Sequence, residues 1–261
     1  MYHGKGFSMR TLACLLFVVF ALTACGKKGA LIYPDMLVPA APSAVSAQQS
    51  GTAMKLSFVL PTKDLAGRNF AGLTGVTILK RDEPAGLSPS CSNCTTDFAP
   101  FRKLNLDPLS PNTQRYGNLL VLLDGDVQAG RSYTYRVSAV TKDNQEGALS
   151  APVAAIMVAA DLPPVLQVIS QPTEIQLEFV GLPPREGAIA GYTIYRALRG
   201  EAFPLQPLNR EPLAGNRFTD VGLERGMTYI YAVRMVVRLP SGGRLESSQS
   251  NEVEGKLKDD E

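Results

Sequence analysis

The segment Cys91-Ser-Asn-Cys94 contains the residues whose type and spacing fit chemistry most directly. A Cys-x-x-Cys pair forms a local disulfide, works as a redox-active dithiol, or supplies half of a zinc site. Zinc would need two further Cys or His ligands, and haem attachment would need a histidine where Thr95 stands. A redox-active pair normally begins a helix, whereas proline and serine flank this one. We therefore predict a disulfide across a turn, with thiol redox chemistry as the alternative.

Cys25 is the second candidate for chemistry, because it directly follows an apolar run from residue 12 to residue 22. As a helix this run would span roughly 17 Å, which is too short for a bilayer core of about 30 Å. With Arg10 before it, the run is typical of a signal-peptide core. Leu22-Thr23-Ala24-Cys25 then reads as a lipobox, which predicts cleavage after residue 24 and acylation of Cys25. An ordinary secretory signal with a chance cysteine is the alternative, and the start at Met1 or Met9 stays open.

The rest of the composition argues against most other chemistry. The chain has 26 Lys and Arg against 24 Asp and Glu, and the two numbers become equal once Lys5 and Arg10 leave with the signal. No basic tract remains for nucleic acid. The single histidine, His3, leaves as well, so no Ser-His-Asp or Cys-His pair is expected. Phosphate-binding glycine motifs do not occur. We expect no enzymatic activity, no cofactor, no metal site and no nucleic-acid partner.

An acidic pair, Asp124-Gly125-Asp126, is the remaining candidate for acid–base work. We interpret it more simply as a turn between two strands.

An internal repeat indicates how the strands that position these residues are arranged. The segment from Gly130 to Val140 matches the segment from Gly226 to Val236, and each has Tyr, Tyr and Val at every second position. This period places side chains on one face of a β-strand. Residues 75–79 match 191–195, and residues 56–61 match 177–183. Short strands separated by Gly, Pro, Asn and Asp predict an all-β chain of two tandem β-sandwiches.

The two copies resemble fibronectin type III modules. That family carries a tyrosine corner of the form L-x-x-G-x-x-Y, which Leu223 to Tyr229 fit, and Val127 to Tyr133 fit with valine for leucine. The resemblance implies that Tyr133 and Tyr229 are structural tyrosine corners. Phe58 and Phe179 stand where the family has a strand-B tryptophan, a residue this chain lacks. An immunoglobulin domain would need a pair of strand cysteines, which neither copy has.

The predicted domains follow from the signal, the repeat and the linker. They are a lipoprotein signal peptide at 1–24, a lipidated Pro/Ala-rich tether at 25–44, a first module at 45–158 and a second at 162–257. Two prolines stiffen the linker at 158–164, so we expect the modules to sit end to end. The first copy carries extra chain, most of it between Gly75 and Gly130, and this insertion holds the Cys-x-x-Cys pair. Long loops on a rigid scaffold often carry function.

The residues after the lipobox indicate where the anchor lies. An aspartate after the acylated cysteine favours the inner membrane in enteric-type lipoproteins, so Gly26 favours the outer membrane. The stretch also resembles a C-G-x-K-G-P-L-x-x-P motif of small lipoproteins that assist maturation of the lipopolysaccharide translocon. Alanine replaces the family's first proline. The matching residues are Cys25, Gly26, Lys28, Gly29, Leu31 and Pro34. A flexible, slightly basic spacer is the alternative.

These observations predict a lipid-anchored, non-enzymatic lipoprotein of the cell envelope that binds or scaffolds another protein. Its expected partners are the membrane, through Cys25, and an envelope protein, with a connection to outer-membrane or lipopolysaccharide-translocon assembly. A polysaccharide-binding surface lipoprotein is one alternative, for which the stacking rings would be Tyr33, Tyr116 and one of Tyr192 and Tyr195. A thiol-redox protein is the other. The oligomeric state and the side of the membrane stay open.

Overall fold

The computed structural model describes residues 33–86 and 98–259. Within these ranges the regular structure is β-strand, apart from a short 3-10 helix at Pro34–Leu37. The strands are β1 (Ser43–Ser50), β2 (Ala53–Val59), β3 (Leu73–Pro84), β4 (Ala99–Asn105), β5 (Thr113–Tyr116), β6 (Leu119–Asp124), β7 (Arg131–Thr141), β8 (Val153–Met157), β9 (Val165–Ser170), β10 (Glu174–Val180), β11 (Ala188–Leu198), β12 (Arg217–Val221), β13 (Tyr229–Arg238), β14 (Arg244–Glu246) and β15 (Val253–Gly255).

Alternation of apolar and polar side chains produces these strands. In β2 the side chains of Met54, Leu56 and Phe58 are buried, while Lys55 and Ser57 point to the opposite face. Strand β10 repeats the pattern, with Phe179 in the place of Phe58. Both phenylalanines are at most 1% exposed and lie in separate hydrophobic clusters. A period of two therefore directs each strand's apolar face to a core.

The first sandwich comprises β1 to β8. One of its sheets has the order β1-β2-β6-β5, and the other has the order β4-β3-β7-β8. Their inner faces enclose a core that includes Leu56, Phe58, Ile78, Leu120 and Tyr135. Relative to the second copy, the additional strands β4 and β5 occupy the extra chain between Gly75 and Gly130. The predicted Cys-x-x-Cys segment falls between β3 and β4, outside the described residues.

The second sandwich comprises β9 to β15. A three-stranded sheet, β12-β10-β9, packs against β11, β13, β14 and β15. The core between them includes Leu177, Phe179, Ile194, Tyr231 and Met235. The described chain therefore forms two fibronectin type III-like sandwiches, which confirms the all-β fold that the repeat predicts.

The two sandwiches share one sheet. Strand β1 of the first sandwich pairs in parallel with β14 of the second, at Ser50 and Glu246. This single pairing joins the two halves into an eight-stranded sheet with the order β11-β13-β14-β1-β2-β6-β5, with β15 paired to β13 off this path. The compact unit that begins at Met36 contains both sandwiches. The end-to-end arrangement expected from the linker is wrong, because strands from the two sandwiches lie side by side.

Candidate functional site

The residues predicted to do chemistry fall mostly outside the described ranges. Of the anchor motif, only Pro34 is described, and it begins the 3-10 helix. The other positions, for which acylation and thiol chemistry stay predictions, are Cys25, Gly26, Lys28, Gly29, Leu31, Cys91 and Cys94. The candidate site is therefore built from the buried polar groups and the clefts of the two sandwiches.

The two corner tyrosines occupy the same place in each sandwich. The hydroxyl of Tyr133 accepts a hydrogen bond from the backbone N–H of Gln128 at 2.7 Å. The hydroxyl of Tyr229 accepts one from the backbone N–H of Glu224 at 3.0 Å. Both rings are at least nine-tenths buried and belong to the hydrophobic cores. Each tyrosine thus ties the turn before its strand to the core, which is a structural role.

A buried tyrosine and a buried carboxylate lie next to each corner, together with a basic side chain. In the first sandwich the hydroxyl of Tyr135 donates to Asp124 at 2.7 Å, and the Nζ of Lys80 lies 2.7 Å from the same carboxylate. Burial raises the pKa of Tyr135, and the hydrogen bond to Asp124 raises it further. The tyrosine therefore stays protonated and serves as a donor. Asp124 ends β6 and is fully buried, so it does more than form the turn expected from the sequence.

The second sandwich repeats this trio with arginine in place of lysine. The hydroxyl of Tyr231 donates to Asp220 at 2.8 Å, and Nη1 of Arg196 donates to both oxygens of that carboxylate at 2.9 and 2.8 Å. Burial raises the pKa of Tyr231, as does the hydrogen bond to Asp220. Trios that recur at matching repeat positions in both halves are explained by the fold they share.

The contact face between the sandwiches differs from these trios, because the repeat does not duplicate it. Among the described residues, five buried hydrophobic side chains belong to neither core and lie on the outward sides of their strands. They are Val121 of β6, Tyr195 and Ala197 of β11, and Ala232 and Val236 of β13. Outward-facing residues with such low exposure are covered by the other sandwich. We call these five residues the seam.

A buried carboxylate lies beside the seam. Glu246 is 2% exposed and accepts four hydrogen bonds. From the first sandwich, the hydroxyl of Ser50 donates at 2.7 Å and the ammonium of Lys55 donates at 2.8 Å. From the second sandwich, the hydroxyl of Thr193 donates at 3.0 Å and that of Tyr195 at 2.8 Å. The two sandwiches therefore satisfy this carboxylate together.

The charge state of Glu246 follows from these partners. Burial alone would raise the pKa of its carboxyl, but the Lys55 ammonium and the hydrogen bonds from Lys55, Ser50 and Tyr195 outweigh it. The pKa of Glu246 therefore lies below its usual value, and the group is ionised at neutral pH. Burial also raises the pKa of Tyr195, together with the nearby Glu246 charge. The cluster is thus a charged acceptor surrounded by protonated donors.

Side-chain amides of the first sandwich bond backbone groups of the linker and of the second sandwich. Gln49 of β1 is buried, and its amide donates to the carbonyl of Val158 at 2.9 Å while accepting from the N–H of Val158 at 3.0 Å. Gln114 of β5 makes similar contacts across the molecule, with the carbonyl of Phe203 and the N–H of Leu205. At both places the side-chain amide donates to a backbone carbonyl and accepts from a backbone N–H, as the backbone of a neighbouring strand would.

A cleft of about 730 Å³ lies between the sandwiches. Its apolar surface includes Ala47, Ala154, Ile156, Leu239 and Leu245. Charged residues line it too, namely Arg81 and Glu83 from the first sandwich and Glu186 and Arg244 from the second. This volume lies in the range of ligand-binding pockets. A concave surface built from both halves is the best candidate for recognition of a partner.

The structure weakens the stacking surface expected for a polysaccharide. Tyr192 is 8% exposed and lies in the second core, and Tyr195 is 5% exposed and lies in the seam. The expectation that one of these two faces solvent is therefore wrong, because the first sandwich covers the outward face of β11. Tyr116 donates to Gln114 and accepts from the N–H of Gln206. Tyr33 is 59% exposed.

The described ranges contain no helix with the length and apolar character needed to cross a bilayer. Among the same residues, no group of three or more His, Cys, Asp or Glu side chains is placed to hold a metal ion.

No family model matches this chain. A crystal structure of the chicken CNTN1 FN1-FN3 domains is similar at 15% sequence identity, over 83% of this chain and 67% of that chain, with a TM-score of 0.32. A myokine structure is similar at 19% identity, over 38% of this chain and 100% of that chain, with a TM-score of 0.31. The fold described above rests on the strand order and the two cores.

The seam and its carboxylate are what sequence reasoning missed. One signal was present in β13, where Ile230, Ala232 and Val236 fill the positions between the core residues. A strand that is apolar on both faces is typical of burial on both sides. No comparable signal marks Glu246, since its partner Lys55 lies 191 positions away in the chain.

Proposed function

We propose that this chain is a non-enzymatic, lipid-anchored lipoprotein of the cell envelope that binds another protein between its two sandwiches. The single observation that carries the binding role is the cleft of about 730 Å³ to which both sandwiches contribute. The shared carboxylate of Glu246 fixes the two walls of that cleft relative to each other. A preorganised concave surface binds with a smaller loss of conformational entropy than two freely jointed modules would.

The anchor in this proposal is an acylated Cys25 in the outer membrane. Its support is the lipobox at residues 22–25, the short apolar run before it, and Gly26 in place of an aspartate. A single acyl chain gives only reversible membrane binding, so stable anchoring needs the additional chains of a lipoprotein.

The non-enzymatic part of the proposal is supported by the surroundings of the buried ionisable groups. Asp124, Asp220 and Glu246 accept hydrogen bonds from neighbouring side chains, and the tyrosines that contact them have raised pKa values. A tyrosine with a raised pKa is a poorer acid, which does not favour proton transfer near neutral pH. These groups serve folding and the seam.

The partner in this proposal is an envelope protein, with the lipopolysaccharide translocon as the specific hypothesis. Its support is the likeness of residues 25–34 to the motif of translocon-maturation lipoproteins, in which Gly29 and Leu31 match.

Two measurements test the anchor and the partner. Labelled palmitate should enter the full chain and be absent from a Cys25→Ser variant, whereas equal labelling of both would contradict the anchor. Cross-linking in intact cells should then capture an outer-membrane β-barrel protein. Changing both Gly29 and Leu31 should abolish that capture, and unchanged recovery would contradict the translocon hypothesis. Protease added to intact cells would distinguish a surface location from a periplasmic one.

A further inference from the structure

We infer that one end of the first sandwich is a membrane-contact surface, which lies against the lipid bilayer that holds the acyl anchor. This end is formed by residues 36–40 and by the loop 60–72, and we call the two segments the exit surface. The inference rests on the anchor of the proposed function and adds to it the orientation of the first sandwich.

Backbone hydrogen bonds hold residues 36–40 to the first sandwich. The N–H of Leu65 donates to the carbonyl of Val38 at 3.1 Å, and the N–H of Ala66 donates to the carbonyl of Met36 at 3.1 Å. These contacts lie within the compact unit that begins at Met36. The chain that carries the anchor therefore joins the sandwich at this loop.

A second loop contacts the other side of the same segment. The N–H of Ala148 donates to the carbonyl of Pro39 at 3.0 Å. Gly147 lies so close that a Cβ atom there would be 2.5 Å from the same carbonyl oxygen. Pro39 is buried between the two loops. The position at which the chain leaves the sandwich is therefore determined by contacts on both sides.

The loop 60–72 is held by its own hydrogen bonds. The backbone N–H of Arg68 donates to one oxygen of the Asp64 carboxylate at 2.9 Å, and Nε of Arg68 donates to the other oxygen at 2.9 Å. The N–H of Phe70 donates to the carbonyl of Thr62 at 2.7 Å. Asp64 is 4% exposed, so its charge is buried against the arginine. The loop thus presents its remaining side chains on a supported backbone.

Two large apolar side chains project from the exit surface. Leu37 is 40% exposed and Leu65 is 47% exposed. They lie on segments whose backbones hydrogen-bond to each other, so both belong to one surface. A single exposed leucine is ordinary on a protein surface. A pair of them beside the point where an anchored chain leaves the fold is placed to enter the interface of a bilayer.

The charges of this region cancel. The loop 60–72 and the neighbouring hairpin at 141–146 contain three basic and three acidic residues. They are Lys63, Arg68 and Lys142, and Asp64, Asp143 and Glu146. Apolar contact therefore provides the attraction to the bilayer. Because salt screens charges but does not weaken apolar contact, the contact should persist at high ionic strength.

The length of the tether limits how far the exit surface lies from the anchor. Met36 follows Cys25 by 11 residues, which at full extension reach at most about 38 Å. Strand β3 has 12 residues, and at the rise of a β-strand they span about 40 Å. The tether is therefore no longer than the sandwich itself. Such a short connection gives the exit surface a high effective concentration at the bilayer, so a weak apolar contact is sufficient.

The test uses tryptophan as a reporter, because the chain contains none. The full acylated chain with Leu65→Trp is reconstituted into vesicles of phosphatidylethanolamine and phosphatidylglycerol, with and without bromine on the acyl chains. Interfacial side chains enter the boundary between headgroups and acyl chains, so bromine should quench this tryptophan at least about twofold. Leu37→Trp should be quenched as well, and it replaces the first variant if circular dichroism shows that Leu65→Trp folds poorly.

Ile156→Trp is the matched control. Ile156 is 45% exposed, close to the exposure of the tested leucines. Its strand partner Ser132 pairs with Glu83, which lies ten residues along β3 from Leu73, or about 33 Å at the rise of a β-strand. The loop 60–72 joins β3 at the Leu73 end, so the control lies far from the exit surface. Its fluorescence should be the same in both kinds of vesicle.

Three results would overturn the inference. One is a chain that floats with the vesicles while both test tryptophans stay unquenched, which would leave the anchor intact. Another is equal quenching of the control, because no end of the sandwich would then face the bilayer. The third is quenching that disappears at high salt, because the attraction would then be electrostatic. A chain that does not float with the vesicles would instead refute the anchor itself, so the two proposals fail in distinguishable ways.

Discussion

Strands β7 and β13 occupy matched positions of the repeat, yet their outward faces differ in polarity. Along β7 the outward residues include Thr134, Arg136 and Ser138, whereas the matching residues of β13 are Ile230, Ala232 and Arg234. Their inward residues are the same Tyr, Tyr and Val in both strands. The core residues are therefore common to both copies, while the residues between them differ in polarity, although Thr134 and Ser138 of β7 are buried as Ala232 of β13 is.

The interface follows from that difference. Ala232 is fully buried, whereas Arg136 is half-buried and donates to the carbonyl of Ser150 at 3.0 Å. An alanine lets the first sandwich approach β13 closely, whereas the arginine at the same place on β7 lies against its own sandwich, on the carbonyl of Ser150. One substitution between matched positions can therefore test the comparison.

Ala232→Arg should produce the largest effect, because it gives β13 the residue of β7. The guanidinium would be buried in the seam without a matched acceptor, which should lower the free energy of unfolding by about 4 kcal/mol. Urea denaturation of the full chain measures the change. The reciprocal Arg136→Ala should cost about 1 kcal/mol or less. Similar losses from both substitutions would contradict the asymmetry.

Lys55→Met should have the next largest effect. It leaves the buried Glu246 carboxylate with three hydroxyl donors and no cation, which should lower the free energy of unfolding by about 3 kcal/mol. A Lys55→Met, Glu246→Leu double variant removes the charge altogether and should recover much of this loss. Denaturation of the wild type, the Lys55→Met and Glu246→Leu single variants and the double variant in parallel gives the coupling energy. If the double variant were as unstable as the sum of two single losses, the charge would not be the cause.

Acid should weaken the seam through the same carboxylate. The pKa of folded Glu246 lies below its unfolded value of 4.5, so its contribution is fully present above that value. The contribution should be lost as the pH falls through the folded pKa. A Glu246→Gln variant should therefore show a smaller decrease in stability than the wild type between pH 6 and pH 3, measured by thermal unfolding. Parallel pH profiles for the two proteins would assign the acid sensitivity to other carboxylates.

Tyr135→Phe and Tyr231→Phe should have equal and moderate effects, since both hydroxyls belong to the trios that the copies share. Each substitution removes one hydrogen bond to a buried carboxylate, at about 1 to 2 kcal/mol. Unequal losses would show that the sandwiches differ in their cores as well as at the seam.

Ser138→Ala should give the smallest change, and it should be stabilising. The hydroxyl of Ser138 is buried and has no hydrogen-bond partner within the described ranges. At the matching position Arg234 bonds the carbonyl of Ser247 at 2.9 Å. Removing the unsatisfied oxygen should raise the free energy of unfolding by about 1 kcal/mol, as thermal unfolding would report. A loss of stability would indicate that the hydroxyl has a partner after all.

The sequence predicted the fold because the signal for a strand is local. Met54, Leu56 and Phe58 alternate with polar residues within one short segment. The second copy of the repeat shows the same alternation. The seam depends on residues far apart in the chain. Lys55 and Glu246 meet only after both sandwiches have folded, so no spacing in the sequence relates them. The two prolines indicate that the linker is stiff, but they carry no information about the contacts that the two sandwiches make with each other.

The cleft was beyond sequence reasoning for a related reason. An apolar run such as β8 predicts a strand, but whether it lies at an edge depends on the order of the strands in the sheet. The hydrogen bond between Gln114 and the N–H of Leu205 likewise joins groups that are distant in the chain.

The four donors to Glu246 have a consequence for biosynthesis. Ser50 and Lys55 leave the ribosome long before Thr193, Tyr195 and the glutamate itself. Until the carboxyl-terminal half has been made, the side chains of Ser50 and Lys55 therefore lack their Glu246 partner and face water.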